Sequence, residues 1–246
     1  MATEDIIFGR GPVMEALRSG HEIDKIIIKS GAYSGSLIPI IDKAKSKGIV
    51  IQQADAAKLD KLTDGQNHQG VAAFVSAYGY VSVKEILSHA ENAGHPPFVV
   101  ICDKITDPHN LGAILRTANC VGADGVIIPK RQSAGVNSVV MKTSAGAAEY
   151  TPVAKVTNIA STIDELKKAG LWITAADMDG RPMYDIDLKG ALGLVIGSEG
   201  SGVSRLVREK CDFIASIPMM GEINSLNASV AAGVLMYEAL RQRRGA

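Results

Sequence analysis

Cysteine is scarce in this chain of 246 residues, and the three present, Cys102, Cys120 and Cys211, are odd in number and lack CxxC spacing. That argues against a disulfide framework and against a zinc site, and a reduced, cytoplasmic compartment is expected. Charge excess is missing too, since 26 basic residues balance 26 acidic ones. A broad basic surface that grips nucleic acid through phosphates alone is therefore not expected, and any nucleic-acid binding should be local. No apolar run approaches the roughly 18 residues of a membrane span, and the opening MATEDIIFGRG has no basic segment followed by a long apolar run. Neither export nor a membrane partner is expected. Internal repeats, low-complexity tracts and heptad arrays are lacking. No Gly-Lys-Ser/Thr follows a Gly-rich turn, which excludes a Walker loop. His68, His95 and His109 show no metal-ligand spacing, so no metal is expected.

What is present is alternation. Residues 1–77 read as a helix in PVMEALRSG, a strand in KIIIK, a helix across SLIPIIDKAKSKG, and strands in IVIQQ and GVAAFVSA. Pro12 suits the first turn of its helix. A short amphipathic helix then lies between Gly79 and the Pro96-Pro97 pair, and residues 78–96 are expected to be a linker. From Phe98 onward, apolar runs too short for core helices (FVVIC, GVIIP, LWITAA, LGLVIG, FIASIP) alternate with helical patterns such as NLGAILRTANCVG and ASTIDELKKAG. Strands apolar on both faces and separated by helices predict an α/β domain whose parallel sheet is covered on both sides.

In such sheets ligands bind beyond the carboxyl ends of the strands, so the residues after each apolar run are the place to look. Three loops stand out: DPHNLGAILRTA after FVVICDKIT, SEGSGVS after LGLVIG, and MMGEINSLNAS after FIASIP. The glycines of GSEGSG run G-x-x-G-x-G rather than G-x-G-x-x-G and have no acidic ribose partner at the usual offset, which disfavours a dinucleotide site and a nucleotide-cofactor oxidoreductase. The last loop carries Asn224, Ser225 and Asn227 just before an apolar helix. Helix caps and the wall of a pocket are both open readings of these residues.

Together, DPHNLGAILRTA, LVIGSEGSGVS and IPMMGEINSLNASVA closely resemble the three signature motifs of the SpoU (TrmH-type) RNA ribose 2'-O-methyltransferases of the SPOUT class, in the family's order across residues 98–244. The preceding segment, with FGRGPVMEAL and NHQGVAAFV, is similar to the small substrate-binding domain of the bacterial 23S rRNA guanosine 2'-O-methyltransferases. The resemblance implies a small α/β RNA-binding domain of a ribosomal-protein type over residues 1–77. It also implies a SPOUT domain over 97–246 whose parallel sheet ends in a deep trefoil knot. S-adenosylmethionine would bind bent within that knot, with the active site shared across a homodimer. Periodicity does not reveal a knot, and the usual connection rules lead to an unknotted sheet.

Carried over residue by residue, the resemblance implies the site. Arg116 lies six residues after Asn110, where the family's first motif places its arginine, and would meet the target nucleotide. A guanidinium stays protonated, so it suits a bidentate phosphate anchor that also steadies a developing alkoxide better than it suits a general base; the proton would pass to water or phosphate. Asn110 and Glu199 become organisers, Glu199 accepting bonds from neighbouring amides or from Asn227, and Ser225 and Asn227 stand where cofactor and nucleotide meet. Gly197, Ile217 and Leu226 would line the cofactor pocket through backbone, flanked by Thr174 and Ala175. Taken singly, each has a plainer reading as a surface, turn or packing residue. Within the class, a tRNA ribose methyltransferase is the alternative to a 23S rRNA enzyme; outside it stands a noncatalytic RNA-binding or ribosome-assembly protein. In the final helix, Ala228, Ala231, Ala232 and Gly233 permit close backbone approach, and Val234, Leu235 and Leu240 offer apolar surface for a twofold contact.

Overall fold

Isoleucine and valine runs bracketed by glycine and polar turns become strands throughout the chain. The computed structural model describes residues 5–19, 23–31, 35–75, 78–223 and 225–245; Asn224 and the last two positions of the expected GVAAFVSA strand lie outside them. By its internal contacts the chain divides into Met1–Gly79 and Tyr80–Ala246.

The first unit runs β1 (Asp5–Phe8), α1 (Arg10–Ser19), β2 (Ile23–Lys29), α2 (Ile38–Ser46), β3 (Val50–Ala54), α3 (Ala56–Leu62) and β4 (Val71–Val75). Its four strands lie in the order β1-β4-β2-β3, with β2 parallel to β3 and antiparallel to β4. The two-residue period of a strand sends Ile26 and Ile28 to the α1 and α2 face and Ile27 to the face covered by Leu59 of α3. The short α3 has little apolar pattern of its own; Asp55 starts it by accepting a bond from Lys58 N at 2.8 Å.

The second unit runs α4 (Val83–Ala93), β5 (Phe98–Asp103), α5 (Pro108–Cys120), β6 (Gly125–Pro129), α6 (Ser138–Thr143), β7 (Val153–Val156), α7 (Ile159–Lys168), β8 (Trp172–Pro182), β9 (Leu192–Gly197), α8 (Arg205–Lys210), β10 (Phe213–Ser216) and α9 (Ala228–Arg243). All pairings in its six-stranded sheet, β10-β8-β9-β5-β6-β7, are parallel. Every residue of β5 and β6 is buried, as the both-faces-apolar pattern requires. Ile86 of α4, Ile163 and Leu166 of α7 and Val207 of α8 share one cluster with Val99, Ile101, Ile127, Ile173 and Val195 of the strands. The alternate strand residues Val100, Cys102, Leu194 and Ile196 are equally buried, and α5 and α9 pack on each other and on β6, β8 and β9. Among the described residues no helix is long and apolar enough to cross a membrane.

The stretch 78–96, expected as a linker, carries α4, an integral element of the second unit. A capping box starts this helix, with Ser82 N donating to Glu85 Oε2 at 2.7 Å and Glu85 N donating to Ser82 Oγ at 3.2 Å. Gly94, at φ 73°, ends it. Ile86 is fully buried and fills the space over Gly125, where an added Cβ would lie 2.6 Å from Ile86 Cδ1. Ile86→Ala should therefore cost about 2–5 kcal/mol of stability. Denaturant unfolding followed by circular dichroism measures this, and a loss below about 0.5 kcal/mol, within the range of surface substitutions, would show that α4 is only loosely held.

The strand order positions the site. From β5 the chain steps outward through β6 to β7, then crosses to β8 on the far side of β9, so β9 ends up between β8 and β5. The two progressions diverge between β5 and β9, and a crevice beyond the carboxyl ends of strands at such a switch point is where open α/β sheets hold ligands.

Candidate active site

Beyond β5 and β9 three side chains from distant parts of the chain meet. Asn110 sits in the first turn of α5, which Asp107 caps by accepting a bond from His109 N at 2.9 Å and which Pro108 opens. Glu199 lies in the turn after β9, and Asn227 caps α9. Asn110 Nδ2 donates to Glu199 Oε1 at 3.0 Å, Asn227 Nδ2 donates to Asn110 Oδ1 at 3.0 Å, and Asn227 Nδ2 also donates to Glu199 Oε1. An ionised carboxylate only accepts, so both amides must turn their NH2 groups toward it. That fixes Asn110 Oδ1 toward Asn227, and leaves Asn227 Oδ1 to accept from Ser229 N at 3.0 Å, Val230 N at 3.3 Å and Ser229 Oγ at 2.6 Å. Each group's orientation thus follows from the next.

Two further ties hold the loops in place. Asp103, at the end of β5 and only 4% exposed, accepts from Ser204 N at 2.7 Å, joining the β5 end to the chain after β9. The turn between is closed by Ser198 N to Gly202 O at 3.1 Å and Gly202 N to Ser198 O at 3.0 Å. Gly197 has no room for a side chain, since an added Cβ would stand 2.2 Å from the Gly202 carbonyl carbon and 2.3 Å from Val203 N. The sequence reading missed Asp103 and Ser204. A carboxylate ending a fully apolar strand, as in FVVICD, is the signal that could have found Asp103.

The other candidates are placed as follows. Thr174 and Ala175 lie fully buried on β8, paired with Leu194 and Val195 of β9, and Thr174 Oγ1 has no hydrogen-bond partner among the described residues. A buried hydroxyl without a partner is uncommon and marks a position open to a ligand atom. Ile217, Ser225 and Leu226 lie on the irregular stretch between β10 and α9, Ile217 half-buried and the other two exposed; none of their side chains bonds to the Asn110, Glu199 and Asn227 group. Arg116 is exposed on α5 and unpaired among the described residues. Six residues along an α-helix amount to about 600° of rotation, so Arg116 projects about 120° around the axis from Asn110 and not toward the Asn110–Glu199–Asn227 triangle of its own chain. Next to the site, burial and then the neighbouring Asp103 charge push the Cys102 thiol up to about 12. It stays protonated at neutral pH and is no nucleophile.

Comparison with known proteins gives two family matches: the SpoU rRNA Methylase family over residues 97–237, and RNA 2'-O ribose methyltransferase substrate binding over residues 6–81. The TrmH-family protein YacO of Bacillus subtilis, whose name leaves tRNA and rRNA both open as substrates, is 46% identical over 240 residues, spanning 97% of this chain and 96% of that one. Among solved structures, the SpoU methyltransferase AviRb of Streptomyces viridochromogenes, in complex with AdoMet, is similar at a TM-score of 0.62 and 25% identity, over 98% of this chain and 91% of that one. The TrmH/SpoU tRNA modifying enzyme of A. aeolicus is similar at a TM-score of 0.57 and 30% identity, over 66% of this chain and 84% of that one.

Proposed function

Because the chain belongs to the SpoU family of RNA methyltransferases, we propose that it moves the methyl group of S-adenosylmethionine onto a ribose 2'-hydroxyl, at a guanosine of 23S rRNA. The observation that carries this reading is the closed Asn110–Glu199–Asn227 group at the switch point, built from the three motif loops together. The first unit's match to a ribose methyltransferase substrate-binding domain supports assigning target choice to residues 1–77 and chemistry to 97–246. A tRNA substrate is the second reading, favoured by the likeness to a tRNA modifying enzyme.

The residues fit the cofactor: Thr174 brings an unsatisfied buried hydroxyl, and Ala175, Gly197, Ile217 and Leu226 would hold the rest largely through backbone. When bound, the cofactor supplies a methyl group already activated on a sulfonium, so the chain's own residues need only align the groups and manage one proton. Holding reacting groups near attack distance contributes about 7–11 kcal/mol. The Asn110–Glu199–Asn227 bonds keep two helix starts and one loop in fixed relation, which serves that alignment, with Ser225 beside them for the nucleotide. Arg116 anchors the nucleotide phosphate with its two-pronged guanidinium and steadies the negative charge that grows on the 2'-oxygen; the proton leaves to water or to a phosphate oxygen. The turn after β9 is drawn tight, with Gly197 pressed against Gly202 and Val203; a trefoil knot near the cofactor is what the family resemblance implies.

Arg116 projects away from its own triangle, and α9 carries exposed Val230 and Tyr237 besides its buried Ala232, Leu235 and Met236. Both features suit a homodimer in which one protomer's Arg116 serves its partner's site. Tritiated methyl transfer to naked 23S rRNA against bulk tRNA, followed by mapping of the labelled nucleotide, tests the substrate. Label confined to rRNA guanosine is expected, and label only in tRNA would overturn the assignment. Removing residues 1–79, a boundary that spares α4, should leave cofactor binding intact and reduce rRNA methylation at least about tenfold, a loss of some 1.4 kcal/mol.

A further inference from the structure

We propose that Lys104, Lys130 and Arg131 form a phosphate rail along the carboxyl edge of β5 and β6, gripping the RNA backbone beside the target ribose. The proposal rests on the RNA-methylating reading above and adds to it the residues that hold the strand.

Lys104 is the first residue after β5, and Lys130 and Arg131 are the first two after β6. The two strands are hydrogen-bonded neighbours, so the three cations crowd one short stretch of the sheet's edge, on the same end as Asn110 and Glu199. The edge is also rigid. Ala134 N and Ser133 Oγ both donate to Ile105 O, at 2.8 and 3.2 Å, which joins the loop after β6 to the loop after β5. Lys130 N donates to Val156 O at 2.7 Å, and Val136 N donates to Tyr80 Oη at 2.8 Å. Lys104 and Gln132 hold left-handed backbone conformations, at φ 61° and 55°, which non-glycine residues keep only where their surroundings fix them.

Charge decides what such an edge would hold. Lys104, Lys130 and Arg131 have no ion pair among the described residues, whereas Lys167, Arg208, Lys210 and Arg241 elsewhere do. The nearby carboxylates Asp103, Asp107 and Glu199 take their hydrogen bonds from neutral donors, namely Ser204 N, His109 N and the two asparagines, and among the described residues form no ion pair with the three cations. In a chain whose charges sum to zero, three uncommitted cations next to the reacting position are a local feature. A polyanion running past the site matches them, and the RNA backbone brings a charge at every nucleotide.

The test measures binding of the full-length protein to a 23S rRNA transcript across a salt series. A cation that neutralises a phosphate of a single strand contributes about 0.7 to the slope of log K against log salt. The variant Lys104→Gln with Lys130→Gln and Arg131→Gln should therefore flatten that slope by about 2, while S-adenosylmethionine affinity and melting temperature stay at wild-type values. Methylation should show a raised KM for RNA and a retained kcat at saturating RNA. The charge-conserving variant Lys104→Arg with Lys130→Arg and Arg131→Lys should restore the slope. A control, Lys168→Gln with Lys189→Gln, neutralises cations leading into β8 and β9 at the opposite edge and should leave the slope unchanged. An unchanged slope in the triple variant, or an equal per-charge loss in the control, would overturn the rail. The binding slope needs no turnover, so an absence of any methyl transfer by the wild-type chain would sink the enzymatic reading separately.

Discussion

Arg116→Ala should lower methyl transfer by about 10²–10³-fold, the range typical of losing one donor that stabilises charge developing in a transition state. Its affinity for S-adenosylmethionine should stay near that of the wild type. The two halves of this expectation come from one geometric fact: Arg116 is exposed and unpaired on α5 and rotated away from the Asn110–Glu199–Asn227 group. Nothing local is lost when its side chain is cut back, so stability should be unchanged within about 0.5 kcal/mol, as for other surface substitutions. Calorimetry for the cofactor and a single-turnover methylation assay, run on the same preparation, read both quantities. Near-normal turnover would remove Arg116 from the chemistry, and a large loss of cofactor binding would move it to the other side of the site. Arg116→Lys should recover little, because a single ammonium does not reproduce a two-pronged contact.

Gly197→Val should have a comparable effect on the opposite half of the site. Even the first carbon of any side chain there falls 2.2 Å from the backbone of Gly202, and backbone cannot rotate aside as a flexible side chain can. Overpacking of this kind costs about 1–3 kcal/mol, and here the strain falls on the Ser198–Gly202 turn, so it should appear as about 10- to 100-fold weaker S-adenosylmethionine binding. Far-ultraviolet circular dichroism should remain that of the wild type. Mixing Gly197→Val protomers with Arg116→Ala protomers then tests the shared site: each lacks what the other supplies, and a composite dimer contains one intact combination. Partial recovery of activity after subunit exchange is expected. No recovery despite proven exchange, or a monomer by light scattering at micromolar concentration, would mean that each chain works alone.

Much of the architecture could be read from the residues. The parallel sheet followed from runs such as FVVIC and GVIIP, because a strand buried on both faces leaves no room for polar alternation. Asn110, Glu199 and Asn227 were each singled out through the motif resemblance, and the structure joins them in one hydrogen-bonded group. Other features were hidden for physical reasons. The helix α4 was itself legible, but its place in the second unit was not, because the face it buries through Ile86 and Ala90 meets residues distant in sequence, Gly125 among them. The short α6 and α8 carry too few turns for a period to register. The strand β8 pairs with β10 at Thr174 and Ala175, then resumes at Arg181 while β10 advances from Ile214 to Ala215. The mark of this excursion in the sequence is Gly180, where an added Cβ would stand 2.5 Å from Ile214 O, and a single glycine does not by itself tell a bulge from a turn.

Asn227 holds both the start of α9 and a corner of the candidate site with a single amide group, and this sharply narrows the side chains the position can accept. Aspartate would cap the helix equally well but would set a second negative charge against Glu199 and remove the donor that Asn110 needs. Serine or threonine would also cap, yet offers one short hydroxyl where two partners stand on the far side. Glutamine keeps the amide but, one methylene longer, draws its oxygen out of reach of the Ser229 and Val230 amides. Helix stability and site geometry therefore cannot drift apart at residue 227: a tolerated substitution would have to satisfy a donor requirement and an acceptor requirement at a fixed reach, and among the side chains that cap helices well asparagine meets both.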